Sequence, residues 1–309
     1  MPGATVTYRP LPLPEFHHRR RAQAEGAHRP VFGTARSGDF YLERTEEAVA
    51  AFGTGIVPTR FQFYFIGLVE RSAATCTTGL VSFPVGPRVA FFVPPGQIHS
   101  SRGWTTRDRG YALSFAESFF TENLADKRGL ERSPLFRWER PPFCHLAPEE
   151  HRETAALLAA LEVEWKARHL AQPAVLRALL QAVVARLEAA VLRARPERLE
   201  LDANARLHER FRAQLGRDFR RQKSPAAYAA ALGVHPNHLA NAVQAASGRP
   251  PGYWIRARVV LEAQCLLAAS ACSVKQVAAE LGYDDVGYFS RLFKKSVGVA
   301  PRCYQLGQR

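Results

Sequence analysis

A chain of 309 residues, 47% apolar and 10% aromatic, is long enough for two buried cores and too apolar to stay unfolded. Its formal charge of +14 is uneven: residues 205–309 carry 16 Lys and Arg against 6 Asp and Glu, whereas residues 1–204 carry 26 against 22. No apolar run is long enough to span a bilayer, no apolar stretch follows Arg19 to Arg21 as in a secretory leader, and the five scattered cysteines (Cys76, Cys144, Cys265, Cys272, Cys303) form no C-x2-C pair, which argues against membrane, exported and disulfide-framework classes.

Residues 1–145 read as mostly β. Within FQFYFIGLVE, Phe61, Phe63 and Phe65 alternate with Gln62, Tyr64 and Ile66, and VAFFV at Val89 to Val93 is a second aromatic and β-branched run. Further strands are expected at Gly79 to Phe83 and Tyr111 to Phe115, punctuated by Gly, Pro and Thr as in a barrel or sandwich, and SFAESFFTENL from Ser114 turns from strand to helix. PPGQIH at Pro94 to His99 resembles the P-x-G-x2-H turn of cupins. A metal-using cupin also needs an earlier H-x-H and a Glu, because a catalytic metal takes at least three protein ligands. No histidine lies between His28 and His99, and the adjacent His17 and His18 would point to opposite faces of a strand. No metal or cofactor is therefore expected. An aromatic-lined pocket remains open to the sequence, with Tyr64, His99, Trp104 and Tyr111 as candidates; the plainer alternative for each is a core-filling or turn residue.

Residues 146–195 change to Ala, Leu, Glu and Arg with helical periodicity. Pro148, Glu149 and Glu150 suit a helix start, and Pro173 opens a second helix in which Leu176, Leu180, Val183, Leu187 and Ala190 recur at spacings of four and three. That seam reads equally as a homodimer surface over 173–191 or as a face packed on its own barrel. Pro196 and mixed charge mark 196–204 as the linker to a final domain, 205–309.

The final domain contains one pattern twice. SVKQVAAELGYDDVGYFSRLFKKSVGVAPRCY (273–304) places Val274, Val277, Ala278 and Leu281 on one helical face, stops at Gly282, and resumes with Phe289, Leu292 and Phe293 buried and Ser290, Arg291, Lys294 and Lys295 outward. SPAAYAAALGVHPNHLANAVQAASGRPPGY (224–253) repeats it about 50 residues earlier: AAALG answers AAELG, and Leu239 and Val243 answer Phe289 and Phe293. Between them, Ile255, Val259, Ala263, Leu266 and Leu267 mark a rod-like helix. Each unit reads as a helix-turn-helix.

On these residues the region from Ala205 to Arg309 resembles the DNA-binding domain of the AraC/XylS family of transcription regulators. The family pattern IA-x2-LGF-x-D-x-SYFSR-x-FKK-x2-G-x-SP-x2-YR is met by VAAELGYDDVGYFSRLFKKSVGVAPRCYQ, with Tyr283, Gly287, Ala300 and Gln305 as departures. The resemblance implies an N-terminal cupin-like effector-sensing barrel, a helical connector that often dimerises, and an all-α C-terminal domain with two helix-turn-helix units. It implies a cytoplasmic, sequence-specific transcription regulator, not an enzyme, with double-stranded DNA, a small-molecule effector and RNA polymerase as partners. Within it, Asn237, Asn241 and Ser290 are placed to reach base edges and Arg291 to grip a guanine, while Gln244, Lys294 and Lys295 hold phosphates. Two alternatives belong to other classes: a cupin-type enzyme with an attached helical DNA-binding domain, and a DNA-repair protein, for which clustered reactive cysteines are missing.

Overall fold

The computed structural model describes residues 39–125, 129–138, 140–167, 172–194, 203–269 and 272–307. His17, His18, Arg19 to Arg21 and most of the expected linker fall outside them, and the last two linker residues, Ala203 and Asn204, already belong to a helix. The described residues form two compact units, one drawn from 39–56 and 60–194 and one that includes 203–307.

The first unit opens with β1 (Phe40–Arg44), α1 (Thr45–Phe52), β2 (Ile56–Arg60), β3 (Tyr64–Arg71), β4 (Thr75–Thr78), β5 (Val81–Pro84), β6 (Val89–Val93), β7 (Ile98–Arg102) and β8 (Arg109–Phe115). Short helices α2 (Glu117–Thr121) and α3 (Gly129–Arg132), then β9 (Phe143–His145), lead to two long helices, α4 (Pro148–Lys166) and α5 (Pro173–Ala194). The strands make two antiparallel sheets, ordered β1-β8-β3-β6-β9 and β2-β7-β4-β5.

Side-chain alternation builds two layers from the first sheet. Phe61, Phe63 and Phe65 with Phe91 point inward and meet Cys76 and Phe83 of the second sheet. Tyr64, Ile66, Leu68 and Phe92 point the other way, under α4 and α5. Burial on both faces explains why β3 and β6 read as continuous apolar runs. Gly67 is required where it stands, because a Cβ there would lie 2.0 Å from the Phe91 ring.

The helices settle the question left by the seam of α5. Leu176, Leu180, Val183, Leu187 and Ala190 are all buried among Leu158 and Leu161 of α4 and the outer face of the sheet. Of the two readings of the seam, the face packed on its own barrel is the one the structure shows: these side chains are consumed within the chain, because the apolar sheet face needs cover, and they do not supply the homodimer surface over 173–191. Arg186 to Glu153 (3.0 Å) and Arg193 to Glu150 (2.7 Å) tie α5 to α4, and Arg44 to Glu162 (2.8 Å) ties α4 to the strands.

The second unit is all-α: α6 (Ala203–Asp218), α7 (Pro225–Ala231), α8 (Pro236–Ser247), α9 (Pro251–Ala269), α10 (Val274–Glu280), α11 (Val286–Val297) and α12 (Pro301–Leu306). One core joins Phe211 and Leu215 of α6 to Leu239 and Val243 of α8, and to Phe289 and Phe293 of α11, through Ile255, Val259, Ala263 and Leu266 of α9. At 1.5 Å per residue the 19 residues of α9 reach about 28 Å. Among the described residues no helix is long and apolar enough to cross a membrane.

Candidate nucleic-acid interface and effector cavity

The second helix pair is built by local capping. Ser273 accepts a hydrogen bond from the Gln276 N–H (3.3 Å) while Gln276 Oε1 accepts from the Ser273 N–H (2.8 Å), a capping box that starts α10. The helix ends at Gly282, whose φ of +75° suits glycine and whose added Cβ would lie 2.3 Å from the Arg220 carbonyl oxygen. Asp285 then caps α11, its Oδ1 accepting from the N–H groups of Gly287 (2.7 Å) and Tyr288 (3.0 Å). Those bonds, the Tyr288 N–H foremost, hold its carboxyl below the usual range.

With Phe289 and Phe293 buried, the opposite face of α11 presents Gly287, Tyr288, Arg291, Lys294 and Lys295 to solvent. Ser290 lies half-buried on the flank. Arg291 leans toward the helix start, 3.8 Å from the Asp285 carboxylate. Tyr288, 52% exposed, stacks against Tyr283 with ring centroids 5.9 Å apart.

The first pair repeats this geometry with different chemistry. His235 stands where Asp285 stands in the second pair, and its Nδ1 accepts from the Asn237 N–H (3.3 Å). Leu239, Ala242 and Val243 are buried, while Asn237, His238, Asn241 and Gln244 are exposed, so the outward face of α8 carries no Lys or Arg. Both helices stop at a left-handed glycine, Gly248 (φ +69°) and Gly298 (φ +90°).

An ionic knot around Glu262 ties α9 to the second pair and to the turn after α6. Glu262, fully buried, receives Arg258 (2.8 Å) from its own helix and Arg220 (3.1 Å) from the turn after α6, and Arg220 also reaches Glu280 of α10 (2.7 Å). Arg258 lies over the Phe219 ring at 3.9 Å.

The structure thus puts Asn237, Asn241 and Gln244 on one exposed face and Arg291, Lys294 and Lys295 on another, with Ser290 at the edge of the second. Tyr288 and His238 share those faces. Sequence reasoning passed over both, although each sits three residues before a residue it did select, Arg291 and Asn241.

The first unit holds a cavity with about 630 Å³ of atom-free space, part of it open to solvent. Phe65, Val69 and Phe91 form its apolar wall, and Ala48 and Val49 of α1 close one side. Its polar lining comes from Glu43, Thr45, His99, Ser101 and Ser114, and Trp104 stands with Gly53 and Gly55 at one side. The Trp104 N–H donates to the Thr54 carbonyl (3.0 Å). His99 is not in the turn but on β7; it is buried, 3.0 Å from the Thr78 hydroxyl, and nearly parallel to the Phe91 ring.

Of the four residues expected around a pocket, His99, Trp104 and Tyr111 line this cavity. Tyr111 also pairs with Arg44 across β1 and β8, and its ring sits under the Arg44 guanidinium (4.0 Å). Burial pushes the Tyr111 hydroxyl up to about 12. Tyr64 lies outside the cavity, stacked with Phe115 on the helix-covered face. Glu43, Thr45, Ser101 and Ser114 were not anticipated, because strands as short as β1 and β7 carry little periodic signal.

Residues 228–306 match a family model described as a helix-turn-helix domain. Over 69 residues the chain is 38% identical to the MmsAB operon regulatory protein of Pseudomonas aeruginosa, a match covering 22% of this chain and 22% of that protein. The match therefore spans about a fifth of the relative's length. Among solved structures, unsaturated fatty acid bound wild-type ToxT from Vibrio cholerae aligns at 14% identity over 88% of this chain and 96% of its own, with a TM-score of 0.42. A DNA-binding transcriptional dual regulator from Escherichia coli K-12 aligns at 22% identity over 33% of this chain and 91% of its own, with a TM-score of 0.31. Residues 228–306 of this chain are thus similar to a helix-turn-helix domain.

Proposed function

We propose that the chain is a sequence-specific transcription regulator that binds double-stranded DNA through α8 and α11 and responds to a small molecule held in the cavity of its first unit. The observation that carries this reading is the outward row Tyr288, Arg291, Lys294 and Lys295 on a helix anchored by Phe289 and Phe293, repeated in geometry by Asn237, His238, Asn241 and Gln244. Arg291 offers a bidentate donor pair to guanine, and Asn237, Asn241 and Ser290 offer shorter polar groups to base edges. Lys294, Lys295 and Gln244 serve the phosphates. The excess of positive charge in residues 205–309 supplies the counterion-releasing field that such binding uses.

The first unit acts, on this reading, as a cupin-like sensor without enzymatic activity. A homodimer forms through the outer face of α5, where Val175, Ala178, Ala182, Ala185, Ala189 and Leu192 recur at spacings of three and four and all but the half-buried Ala189 are exposed. The protein works in the cytoplasm, with RNA polymerase as a further partner. The test is a titration of labelled DNA fragments from the neighbourhood of its own gene at physiological salt. One fragment should bind on the order of a thousandfold more tightly than random DNA; equal affinity for all fragments would overturn the reading.

A further inference from the structure

The outward face of α11 carries a large ring among its cations. Tyr288 is 52% exposed in the helix's first turn, and its ring is braced by Tyr283, with centroids 5.9 Å apart and planes 27° off parallel. Tyr283 in turn packs against Phe289 of the core (5.7 Å), with the Lys223 ammonium 5.2 Å from its ring. A side chain already ordered in the free protein gives up little freedom on docking. Residues three apart on a helix are neighbours, so Tyr288 and Arg291 stand side by side. Gly287 leaves room for Arg291 to lie over the helix start, since a Cβ there would come 3.4 Å from its Nη1. Of the base edges displayed in the major groove, that of thymine carries an apolar group, the C5-methyl. An exposed hydrocarbon ring gains by covering that methyl and finds no such partner on the polar edges of the other bases.

We infer that Tyr288 determines specificity by packing its ring on a thymine methyl close to the guanine that Arg291 grips. This rests on the reading of α11 as a DNA-binding helix and names a base and a contact for it. Side chains one turn apart are separated by about 5–6 Å at Cβ and successive bases by about 3.4 Å, so the thymine lies within about two base pairs of that guanine. His238 takes the answering place in the first pair, so the methyl contact belongs to the half-site of α11.

The test uses the full chain and its preferred DNA fragment, in which each thymine is replaced in turn by deoxyuridine. That change removes the methyl and leaves every hydrogen-bonding group in place. On the wild-type chain one replacement, next to the position where Arg291→Ala relaxes preference, should weaken binding about fourfold, the worth of one buried methyl-sized group. Tyr288→Phe should keep that thymine-to-deoxyuridine ratio, and Tyr288→Ala should bring it to about one. Each ratio compares two fragments on one protein, so a general loss of stability cancels; should Tyr288→Ala bind no DNA, Tyr288→Gln takes its place. No such thymine beside an Arg291-dependent position, a ratio unchanged in Tyr288→Ala, or a ratio lost in Tyr288→Phe would each overturn the inference, the last by assigning the contact to the hydroxyl. A chain that prefers no fragment over random DNA overturns the regulator reading and the inference with it. A preferred fragment without the methyl effect overturns the inference alone.

Discussion

Arg291 and Lys294 stand one turn apart on α11, both exposed, yet their surroundings assign them different work. Arg291 is held 3.8 Å from Asp285 at the helix start, where the groove-facing end of such a helix meets base edges. Lys294 lies in the last turn, where on the proposed reading it meets phosphate whatever the sequence. Arg291→Ala should therefore cost about 1–3 kcal/mol and relax preference at one base pair. Lys294→Ala should weaken binding to all sequences alike and flatten the salt dependence by about one phosphate's worth, roughly 0.9 in log–log slope. Anisotropy titrations against single-base variants of the preferred fragment, at several salt concentrations, check both; the same pattern of loss for the two variants would contradict the assignment. Gly287, one turn before Arg291, leaves that part of the face without a side chain, and Tyr288 takes the outward position beside it.

Two stripes of α5 show how an element can carry two messages. The seam Leu176, Leu180, Val183, Leu187 and Ala190 covers the sheet, while the stripe of Val175, Ala178, Ala182 and Ala185 faces out. Leu180→Ala should cost about 2–5 kcal/mol of stability with no change in oligomeric state. Ala182→Glu should leave the melting temperature nearly unchanged and convert a dimer to monomers in sedimentation. Just past α10, Gly282→Ala should destabilise by about 2 kcal/mol or more, because a positive φ and a 2.3 Å approach to the Arg220 carbonyl oxygen both oppose a side chain; thermal melts measure it. The same elements show what was legible beforehand. The two helix pairs of the second unit and the rod between them declared themselves through apolar spacings and the Gly282 stop, whereas α6 and α12 did not. β3, β6 and β8 did so through aromatic and β-branched runs. β1, β4, β7 and β9, three to five residues long and partly polar, gave too little period to see, so Glu43 stayed hidden. Tyr64 was placed in the pocket because alternation separates the faces of a strand without saying which one looks inward when both are buried.

At the scale of the whole molecule, charge and burial set the working conditions. His208 of α6 packs beside Trp254, its Nε2 buried without a hydrogen-bond partner, and burial, aided by Arg212, pushes its pKa down to about 4 from 6.5. Between those values the unfolded chain binds a proton that the folded chain refuses. The contribution of a neutral His208 is fully present above pH 6.5 and is lost as pH falls toward 4. Given its partial exposure, about 1–2 kcal/mol of acid sensitivity follows. His208→Leu should flatten the stability profile of the full chain across that window in denaturant titrations; an unchanged profile would show that the group is already charged in the fold.

The knot of Glu262 with Arg258, Arg220 and Glu280 has a consequence for the DNA itself. The cluster ties α9 to α10 and to the turn after α6, and the core shared with α9 packs α8 and α11 into one body. Each base pair inserted between the two half-sites moves the second by about 3.4 Å and turns it by about 35° around the duplex axis. A flexible pair of readers would track that displacement; a pair packed into one body loses a half-site. If α8 and α11 read DNA as proposed, spacing as much as base identity then decides which sites bind, and a one-base-pair insertion should cost as much as erasing a half-site.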